Sequence, residues 1–274
     1  MLVIGTKYHP GSLSFSGLKP PHVNQELVMI NHPILIIGAS SKIAQSIGQL
    51  HLEENNSHVI MISRNISKLV LNRFSDNQYT AITVNDYTID SISMVIDKLN
   101  TLGFSEFRRI YMCNGLLHSA EVQPEKKLED FCPKAFNEVM TTNAVTPLLF
   151  LQALLPFFKK NTRCIVTVFN ARVGSIDDNH LGGWYSYRAS KAALNMLLKN
   201  ISIEFARRAK SVKIVSFHPG TTDTPLSAPF QHNVPKGKLF NSNFVATKLN
   251  HLLSGLQPDG KLSYIDWQGE TIEW

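Results

Sequence analysis

The segment Tyr187-Arg188-Ala189-Ser190-Lys191 places a phenol and an ammonium group four positions apart. Residues four apart on a helix lie on the same face, so the two groups can act on the same atom. A free tyrosine has a pKa near ~10, and proton transfer around neutrality therefore needs a nearby cation that favours the phenolate. Lys191 can be that cation. The same spacing also occurs on solvated helix faces, so the pair needs support from the rest of the chain.

A second candidate site follows the apolar run at residues 34–37. The run leads into Gly38-Ala39-Ser40-Ser41-Lys42-Ile43-Ala44 and then into a helical pattern. A strand, a tight turn and a helix in this order present backbone N–H groups to a pyrophosphate. An ordinary turn with Ser40 or Ser41 as the N-cap of the helix accounts for the same residues. The turn alone does not decide between a binding site and a structural connection.

Arg64 follows the second apolar run, residues 59–62, where a dinucleotide bound at such a turn would place its adenosine ribose. A guanidinium group there pairs with the 2′-phosphate of NADP, whereas an acidic side chain would accept the two ribose hydroxyls of NAD. The alternative is a solvated surface arginine, which is common in proteins. As a binding residue, Arg64 favours NADP(H).

The positions of these residues depend on the elements around them. From Pro33 onward, short apolar runs alternate with amphipathic stretches, which is typical of βαβ units and a parallel sheet. We therefore predict a Rossmann-type α/β fold, a doubly wound, mostly parallel sheet of seven strands with helices on both faces. The predicted strands are residues 34–37, 59–62, 81–84, 109–113, 164–169, 212–217 and 262–265, and the predicted helices are residues 43–52, 89–102, 131–142, 144–159 and 185–209.

Residues 1–29 differ from the rest of the chain. They are rich in Gly, Pro, Ser and His and show neither helical nor strand periodicity, so we expect a poorly ordered N-terminal extension. Met29 is an alternative start of the protein. Residues 30–274 are long enough for one domain with a single core, and we predict one dinucleotide-binding domain there.

The composition narrows the classes of function. The net charge of +6 could suggest nucleic acid, but Lys and Arg are scattered and form no basic stripe. The three cysteines, Cys113, Cys132 and Cys164, lack the spacing of a zinc site or a disulfide framework. No apolar run reaches the ~18 residues of a membrane span. We expect a cytoplasmic protein that binds no metal, no nucleic acid and no membrane.

Several motifs occur in a fixed order along the chain. They are Gly38-Ala39-Ser40-Ser41, Asp86 after the third apolar run, Cys113-Asn114-Gly115 after the fourth, Asn143, Tyr187 with Lys191, and Pro219-Gly220-Thr221-Thr222-Asp223-Thr224. In this combination the chain resembles the short-chain dehydrogenase/reductase (SDR) family from Pro33 to Trp274. Residues 170–176, 182–188 and 269–274 are most similar to its C-factor-like and sniffer-like carbonyl reductase branch.

The resemblance implies an NADPH-dependent oxidoreductase that reduces an aldehyde, ketone or quinone to an alcohol. Tyr187 would protonate the carbonyl oxygen, Lys191 would also hold the nicotinamide ribose, and Asn143 would complete the catalytic set. The cofactor-binding residues that it implies are Gly38, Ser40, Ser41, Lys42, Ile43, Arg64, Asp86, Asn114, Gly115, Tyr187, Lys191, Pro219, Gly220, Thr222 and Thr224.

The proline at position 147 bears on the role of Asn143 in a way that does not depend on the family resemblance. Proline has no N–H and cannot donate to the carbonyl of Asn143, four residues earlier, which is thereby left free. In the family the matching carbonyl binds a water that links the lysine to bulk solvent. A proline in the first turn of a helix explains Pro147 equally well.

Three positions depart from the family pattern. Lys42 and Ala44 replace the second and third glycines of the turn, and Ala171 stands where a serine would bind the substrate oxygen. Asn170 or Ser175 could supply that hydrogen bond instead. The departures motivate an alternative function, a cofactor-sensing or cell-signalling protein with weak or no catalysis.

Apolar residues outside the motifs indicate what the protein could bind, both as a subunit partner and as a substrate. Residues 144–158 are apolar nearly all round, more than one sheet-facing stripe requires, which favours a homodimer or homotetramer over a monomer. Trp184, Pro229 and Phe230 lie in segments expected around the pocket. They indicate an apolar small-molecule carbonyl substrate, although covering an active site requires similar residues.

Overall fold

The computed structural model describes residues 33–54, 57–69, 75, 77–158 and 162–274, so the predicted extension at residues 1–29 lies outside the described residues. The strands are β1 (Ile34–Ile37), β2 (Val59–Ser63), β3 (Tyr79–Thr83), β4 (Arg109–Met112), β5 (Cys164–Phe169), β6 (Val212–His218), β7 (Thr221–Thr222), β8 (Leu239–Phe240) and β9 (Leu262–Asp266). The helices are α1 (Lys42–Glu53), α2 (Ile89–Thr101), α3 (Pro133–Met140), α4 (Thr146–Ala153), α5 (Tyr185–Arg208) and α6 (Ser242–Gly255).

Seven of the strands form one parallel sheet in the order β3-β2-β1-β4-β5-β6-β9. The strand order changes direction between β1 and β4, and in open α/β sheets ligands bind outside the carboxyl ends of the strands at this point. Each of the seven predicted strands is present, and the Rossmann-type fold predicted from the sequence is confirmed.

The sheet is buried on both faces, which explains why its strands are continuous apolar runs rather than alternating ones. Along β1, Leu35 and Ile37 belong to the core cluster under α2, α4 and α5. Ile34 and Ile36 belong to the cluster on the other face, under α1 and α6. Residues at the carboxyl ends of the strands therefore extend from a sheet that is packed on both faces.

Helix α6 was not predicted from the sequence. Asn241 caps it by accepting a hydrogen bond from the backbone N–H of Phe244 at 2.7 Å. Its buried residues, Val245, Ala246, Leu249 and Leu253, recur at helical spacing. In the first turn of α6, the hydroxyl oxygen of Ser242 lies 2.8 Å from that of Ser46. This hydrogen bond joins α6 to α1.

The chain between α3 and α4 is wound more widely than an α-helix. Helix α3 begins at Pro133 rather than at the predicted residue 131, because proline is favoured in a first helical turn. A π-helical turn at Thr141–Val145 then leads directly into α4. Lys159, the predicted end of this segment, lies outside the described residues.

The apolar residues of α4 are used within the chain. Phe150 and Leu151 are buried in the core, and Leu148, Leu149 and Leu155 pack against it. Leu148, Leu149 and Leu155 remain partly exposed, so the homodimer or homotetramer predicted from this segment stays a prediction. No helix in the described part of the chain is both long and apolar enough to cross a membrane.

His51 of α1 is a buried polar residue, 4% exposed, whose side chain contacts the sheet. Its Nε2 lies 3.0 Å from the hydroxyl oxygen of Tyr111 on β4. Burial lowers the pKa of His51 to about 4 and outweighs the attraction of Glu54, whose carboxylate is 3.3 Å from Nδ1. The folded protein therefore holds this imidazole neutral.

We expect the free energy of unfolding to fall as the pH is lowered from 6.5 towards 4. The unfolded chain takes up a proton on His51 in this range and the folded chain does not, so the loss contributed by this residue is up to about 3 kcal/mol. Urea unfolding at several pH values, with His51→Gln against wild type, measures it. The variant should show a shallower acid dependence, whereas substitution of the exposed His232 by Gln should leave the slope unchanged. Equal slopes for His51→Gln and wild type would contradict the assignment.

Candidate active site

Helix α5 carries the predicted pair Tyr187 and Lys191, and the structure brings them together. Tyr187 is 8% exposed and Lys191 is 3% exposed. The Nζ atom of Lys191 lies 5.7 Å from the centroid of the Tyr187 ring and donates a hydrogen bond of 3.0 Å to the carbonyl of Phe169 at the end of β5. Both side chains therefore stand at the carboxyl edge of the sheet.

Burial controls the protonation of the pair. It raises the pKa of Tyr187 and lowers the pKa of Lys191 to about 8. The direction for Tyr187 differs from the one expected beside a cation, because the loss of water around the phenol outweighs an ammonium group that is turned towards Phe169. The phenol consequently stays protonated near neutrality and is in the state that donates a proton.

Asn143 joins three segments of the site. Its amide nitrogen donates to the carbonyl of Leu116 at 2.8 Å and to the hydroxyl of Ser190 at 3.0 Å. Its amide oxygen accepts from the backbone N–H of Leu116 at 2.7 Å. Ser190 in turn donates to the carbonyl of Tyr187 at 2.7 Å. The side chain thus ties the π-helical turn and the loop after β4 to α5.

The wide turn before Pro147 also affects Asn114. The backbone N–H of Thr146 bonds to the carbonyl of Thr141, five residues back. The carbonyl of Thr142 instead accepts a hydrogen bond of 2.9 Å from the amide nitrogen of Asn114. This bond orients Asn114 at the switch point, while the water relay through the carbonyl of Asn143 stays a prediction.

The turn after β1 packs directly on the loop after β4. Gly38 has φ +76°, and a Cβ atom there would lie 2.7 Å from the backbone nitrogen of Asn114. At the start of α1, no side-chain hydrogen bond from Ser41 caps the helix. The first backbone N–H groups of a helix have no intrahelical acceptor, so those of α1 are available to an anion at this edge. Ser40 and Ser41 lie half-buried beside them, and Ile43 anchors the turn in the core.

Several buried polar atoms have no partner among the described residues, and two of them belong to predicted cofactor-binding residues. These two are the Oδ1 atom of Asn114 and the Oγ1 atom of Thr222, and the Nδ1 atom of His218 at the end of β6 is also unpaired. Beside them a Cβ atom at Gly115 would meet only the amide oxygen of Asn143, at 3.7 Å. Unpaired buried polar atoms are costly and are normally satisfied by a ligand or water. These residues fit a dinucleotide that supplies polar groups here.

Arg64 directly follows β2, and Asp86 lies between β3 and α2. The guanidinium of Arg64, an exposed residue, lies 5.5 Å from the ring centroid of Tyr87. Asp86 is exposed, and one of its oxygens accepts from the backbone and hydroxyl of Thr88 and from the hydroxyl of Ser91. These bonds order the start of α2 and lower the pKa of Asp86. Its contact with adenine stays a prediction, and Tyr87 was missed although it directly follows Asp86.

The Pro219–Thr224 motif is shaped by a small sheet that the sequence did not predict. Thr221 and Thr222 form β7, which pairs with β8. Gly220 has φ +70°, and a Cβ atom there would lie 2.6 Å from the ring of Phe240. Lys42 reaches this segment, with its Nζ atom 3.8 Å from a carboxylate oxygen of Asp223. Lys42, which replaces the second glycine of the family's turn, therefore links the turn after β1 to Asp223.

An apolar cluster surrounds the phenol of Tyr187. Trp184 packs edge-on against Tyr187 with ring centroids 6.1 Å apart, and Phe230 packs on Trp184 at 4.9 Å. The other members of the cluster are Leu116, Leu117, Val122, Ala135, Val139, Ala171 and Val173. A carbonyl compound that reaches the phenol therefore meets aromatic and aliphatic surface.

The structure answers differently for the two proposed substitutes for the missing serine. The amide nitrogen of Asn170 donates to Asn195 at 2.6 Å and to Ser216 at 2.9 Å, and the residue is buried. The suggestion for Asn170 is wrong because its N–H groups are used inside the core. Ser175 is also buried, and its hydroxyl oxygen accepts from the backbone N–H of Asp178, a bond that does not use its O–H. A role for Ser175 stays a prediction. With alanine at position 171, that position offers no hydroxyl group to a substrate oxygen.

Cys113 lies near the site but has no features of a nucleophile. Burial raises the pKa of its thiol, so it is protonated near neutrality. Cys113 is partly buried and packs against the core, where it was predicted to be a small buried residue. Within the described ranges, no group of three or more His, Cys, Asp or Glu side chains could hold a metal ion.

The fold and site define an α/β oxidoreductase scaffold, and comparison with known proteins identifies the family. A family model for short chain dehydrogenases matches residues 32–235. The chain belongs to the short-chain dehydrogenase/reductase family, whose members use NAD(P), and the resemblance seen in the sequence is confirmed.

Relatives and solved structures agree with this assignment. The C-signal protein of Myxococcus xanthus is 32% identical over 49% of this chain and 75% of its own. A benzil reductase ((S)-benzoin forming) of Bacillus cereus is 26% identical over 85% of this chain and 98% of its own. The carbonyl reductase Sniffer of D. melanogaster superposes with a TM-score of 0.76 at 18% identity, over 89% of this chain and 99% of that one. An NADPH-bound carbonyl reductase from chicken fatty liver gives 0.74 at 21% identity, over the same shares.

Gly38→Ala should destabilise the protein more than Gly103→Ala. Both residues have positive φ, +76° and +82°, but a Cβ atom at Gly103 would have no atom within 4 Å. The control thus measures the cost of the backbone conformation alone, about 1 kcal/mol, and the difference between the variants measures the clash with Asn114. Equal midpoints of urea unfolding for the two variants would rule out the close approach.

Proposed function

We propose that the protein is an NADPH-dependent reductase that converts an aldehyde, ketone or quinone to an alcohol, with Tyr187 as the general acid. The observation that carries the proposal is the buried Tyr187–Lys191 pair at the carboxyl edge of the sheet, with an apolar cluster around the phenol. A nicotinamide bound beside the pair supplies a hydride to the carbonyl carbon.

The chain's own residues supply the proton. Tyr187 is held protonated by burial and donates to the carbonyl oxygen as negative charge develops on it. The phenolate left behind is stabilised by the ammonium group of Lys191 on the next turn of α5. Asn143 keeps α5 in register with the loop after β4 through Ser190 and Leu116. Without a serine at position 171, the phenol is the principal hydrogen-bond donor to the substrate oxygen.

NADP(H) is the proposed cofactor. Arg64 stands exposed at the end of β2 above Tyr87, where its guanidinium can meet a 2′-phosphate. Lys42 adds a second cation between the glycine turn and Asp223. The proposed ligand contacts of Gly38, Asn114, Gly115 and Thr222 rest on the close packing and the unpaired atoms described above.

The substrate that we propose is a small apolar carbonyl compound. Trp184 and Phe230 offer ring faces and edges next to Tyr187, which suits a carbonyl flanked by an aromatic group. The similarity to a benzil reductase, which by its name acts on an aromatic diketone, points the same way. We further propose a cytoplasmic setting, because Cys113, Cys132 and Cys164 are all free thiols.

A second candidate is a signalling protein that binds the cofactor and turns over little or no substrate. The similarity to the C-signal protein and the alanine at position 171 favour it. The two candidates differ in whether the reactivity of Tyr187 matters.

NADPH should bind more tightly than NADH, and Arg64→Asp should weaken NADPH binding by about 10- to 100-fold, the value of one charge-assisted hydrogen bond. Fluorescence titration with both nucleotides measures the dissociation constants. Arg207→Asp, the same charge change at an exposed position at the end of α5, is the control and should leave both unchanged. Equal affinity of the Arg64→Asp variant and wild type for NADPH would refute the role of Arg64.

Tyr187→Phe should lower carbonyl turnover at least about 100-fold and leave the NADPH dissociation constant within about twofold, because only the proton donor is removed. The assay follows NADPH oxidation with benzil, aromatic aldehydes and quinones as substrates. If wild type binds NADPH but reduces none of these compounds, the signalling candidate replaces the reductase.

A further inference from the structure

Glu125 is a buried carboxylate that the proposed reaction does not use. It lies in the loop after β4 and is 3% exposed, although Lys126 and Lys127 beside it are exposed. Within the described parts of the chain it forms no ion pair with a cationic side chain. A buried carboxylate needs hydrogen-bond donors to offset its loss of hydration. Those donors identify what the residue does.

The donors come from the first turn of the catalytic helix. The backbone N–H of Ser186 lies 3.3 and 3.2 Å from the two carboxylate oxygens of Glu125. The hydroxyl group of Ser186 also donates to one of these oxygens. Helix α5 has no side-chain cap at Trp184 and no acidic residue in its first turn. Glu125 therefore supplies, from 61 residues away, the acceptor and negative charge that a helix N-terminus favours.

The backbone of Glu125 holds the turn that leads into the helix. Its carbonyl accepts a hydrogen bond of 2.6 Å from the N–H of Trp184. Trp184 has φ +51°, a left-handed conformation that non-glycine residues rarely adopt. A Cβ atom at Gly183 would lie 3.3 Å from the same carbonyl. Such a conformation persists where the surrounding contacts fix it, and both groups of Glu125 contribute to fixing it.

Tyr187 directly follows Ser186, and its ring contacts Trp184. The position of the phenol therefore depends on a turn and a helix start that are both bonded to Glu125. We propose that Glu125 is a positioning residue for Tyr187: it anchors the first turn of α5 and the Trp184 ring that packs on the phenol. This proposal rests on the proposed reductase function, in which the phenol must meet the carbonyl oxygen.

Glu125→Gln tests the proposal, because it keeps the shape and one acceptor oxygen but removes the charge. Glu125→Ala removes both, and Ser186→Ala removes one donor while keeping the backbone N–H. Glu129→Gln is the matched control, since Glu129 is exposed in the same loop. We expect kcat to fall about 10- to 100-fold in Glu125→Ala and less in Glu125→Gln and Ser186→Ala, because small misplacements of reacting groups have effects of this size. The NADPH dissociation constant should stay within about twofold in all of them.

Hydrogen exchange provides a readout that does not need turnover. The peptide that contains residues 184–190 should exchange faster in Glu125→Gln than in wild type or Glu129→Gln, while peptides from β1 and β4 should be unchanged. Loss of kcat in proportion to the loss of folded protein, or unchanged exchange in residues 184–190, would overturn the positioning role. If wild type turns over no carbonyl compound, the proposed function fails, and the exchange experiment still decides whether Glu125 anchors the helix.

Discussion

At Gly174, helix α5 leaves no room for a Cβ atom, which would lie 2.8 Å from both the carbonyl carbon and the Cβ of Lys191. This contact limits how closely α5 can approach the segment after β5. The amide nitrogen of Asn170 lies 3.3 Å from the carbonyl oxygen of Lys191 on the same helix. Tyr187 and Lys191 are both buried on this helix, and burial shifts the pKa of each towards its neutral form.

Backbone carbonyl groups hold the functional side chains in place. Phe169 at the end of β5 binds the ammonium of Lys191, and Leu116 in the loop after β4 binds the amide of Asn143. Thr142 in the π-helical turn binds the amide of Asn114. These acceptors lie at the end of a strand, in a loop and in a π-helical turn. Strand ends and irregular segments therefore orient these side chains.

The sequence predicted the seven-stranded sheet because strands buried on both faces are continuous apolar runs. It also predicted that Tyr187 and Lys191 lie together on one helix and that a tight turn follows β1, because the residues of each motif are close together in the chain. The two-residue strands β7 and β8 are too short to give a pattern. The use of the Asn170 amide inside the core could not be predicted, because its partners Asn195 and Ser216 are distant in the chain. The hydrogen bonds between Ser186 and Glu125 could not be predicted either, because the two residues are 61 positions apart.

The pairing of β7 with β8 has a consequence for how this enzyme scaffold can change. It joins the two ends of the segment 223–238 next to Gly220, and the backbone N–H of Asp223 bonds to the carbonyl of Phe240. Surface loops accept new sequences and lengths at little cost when their ends are fixed. The segment that carries Phe230 can therefore be replaced by evolution or by design. Replacement would change the surface that packs on Trp184 and leave the paired strands at its base in place.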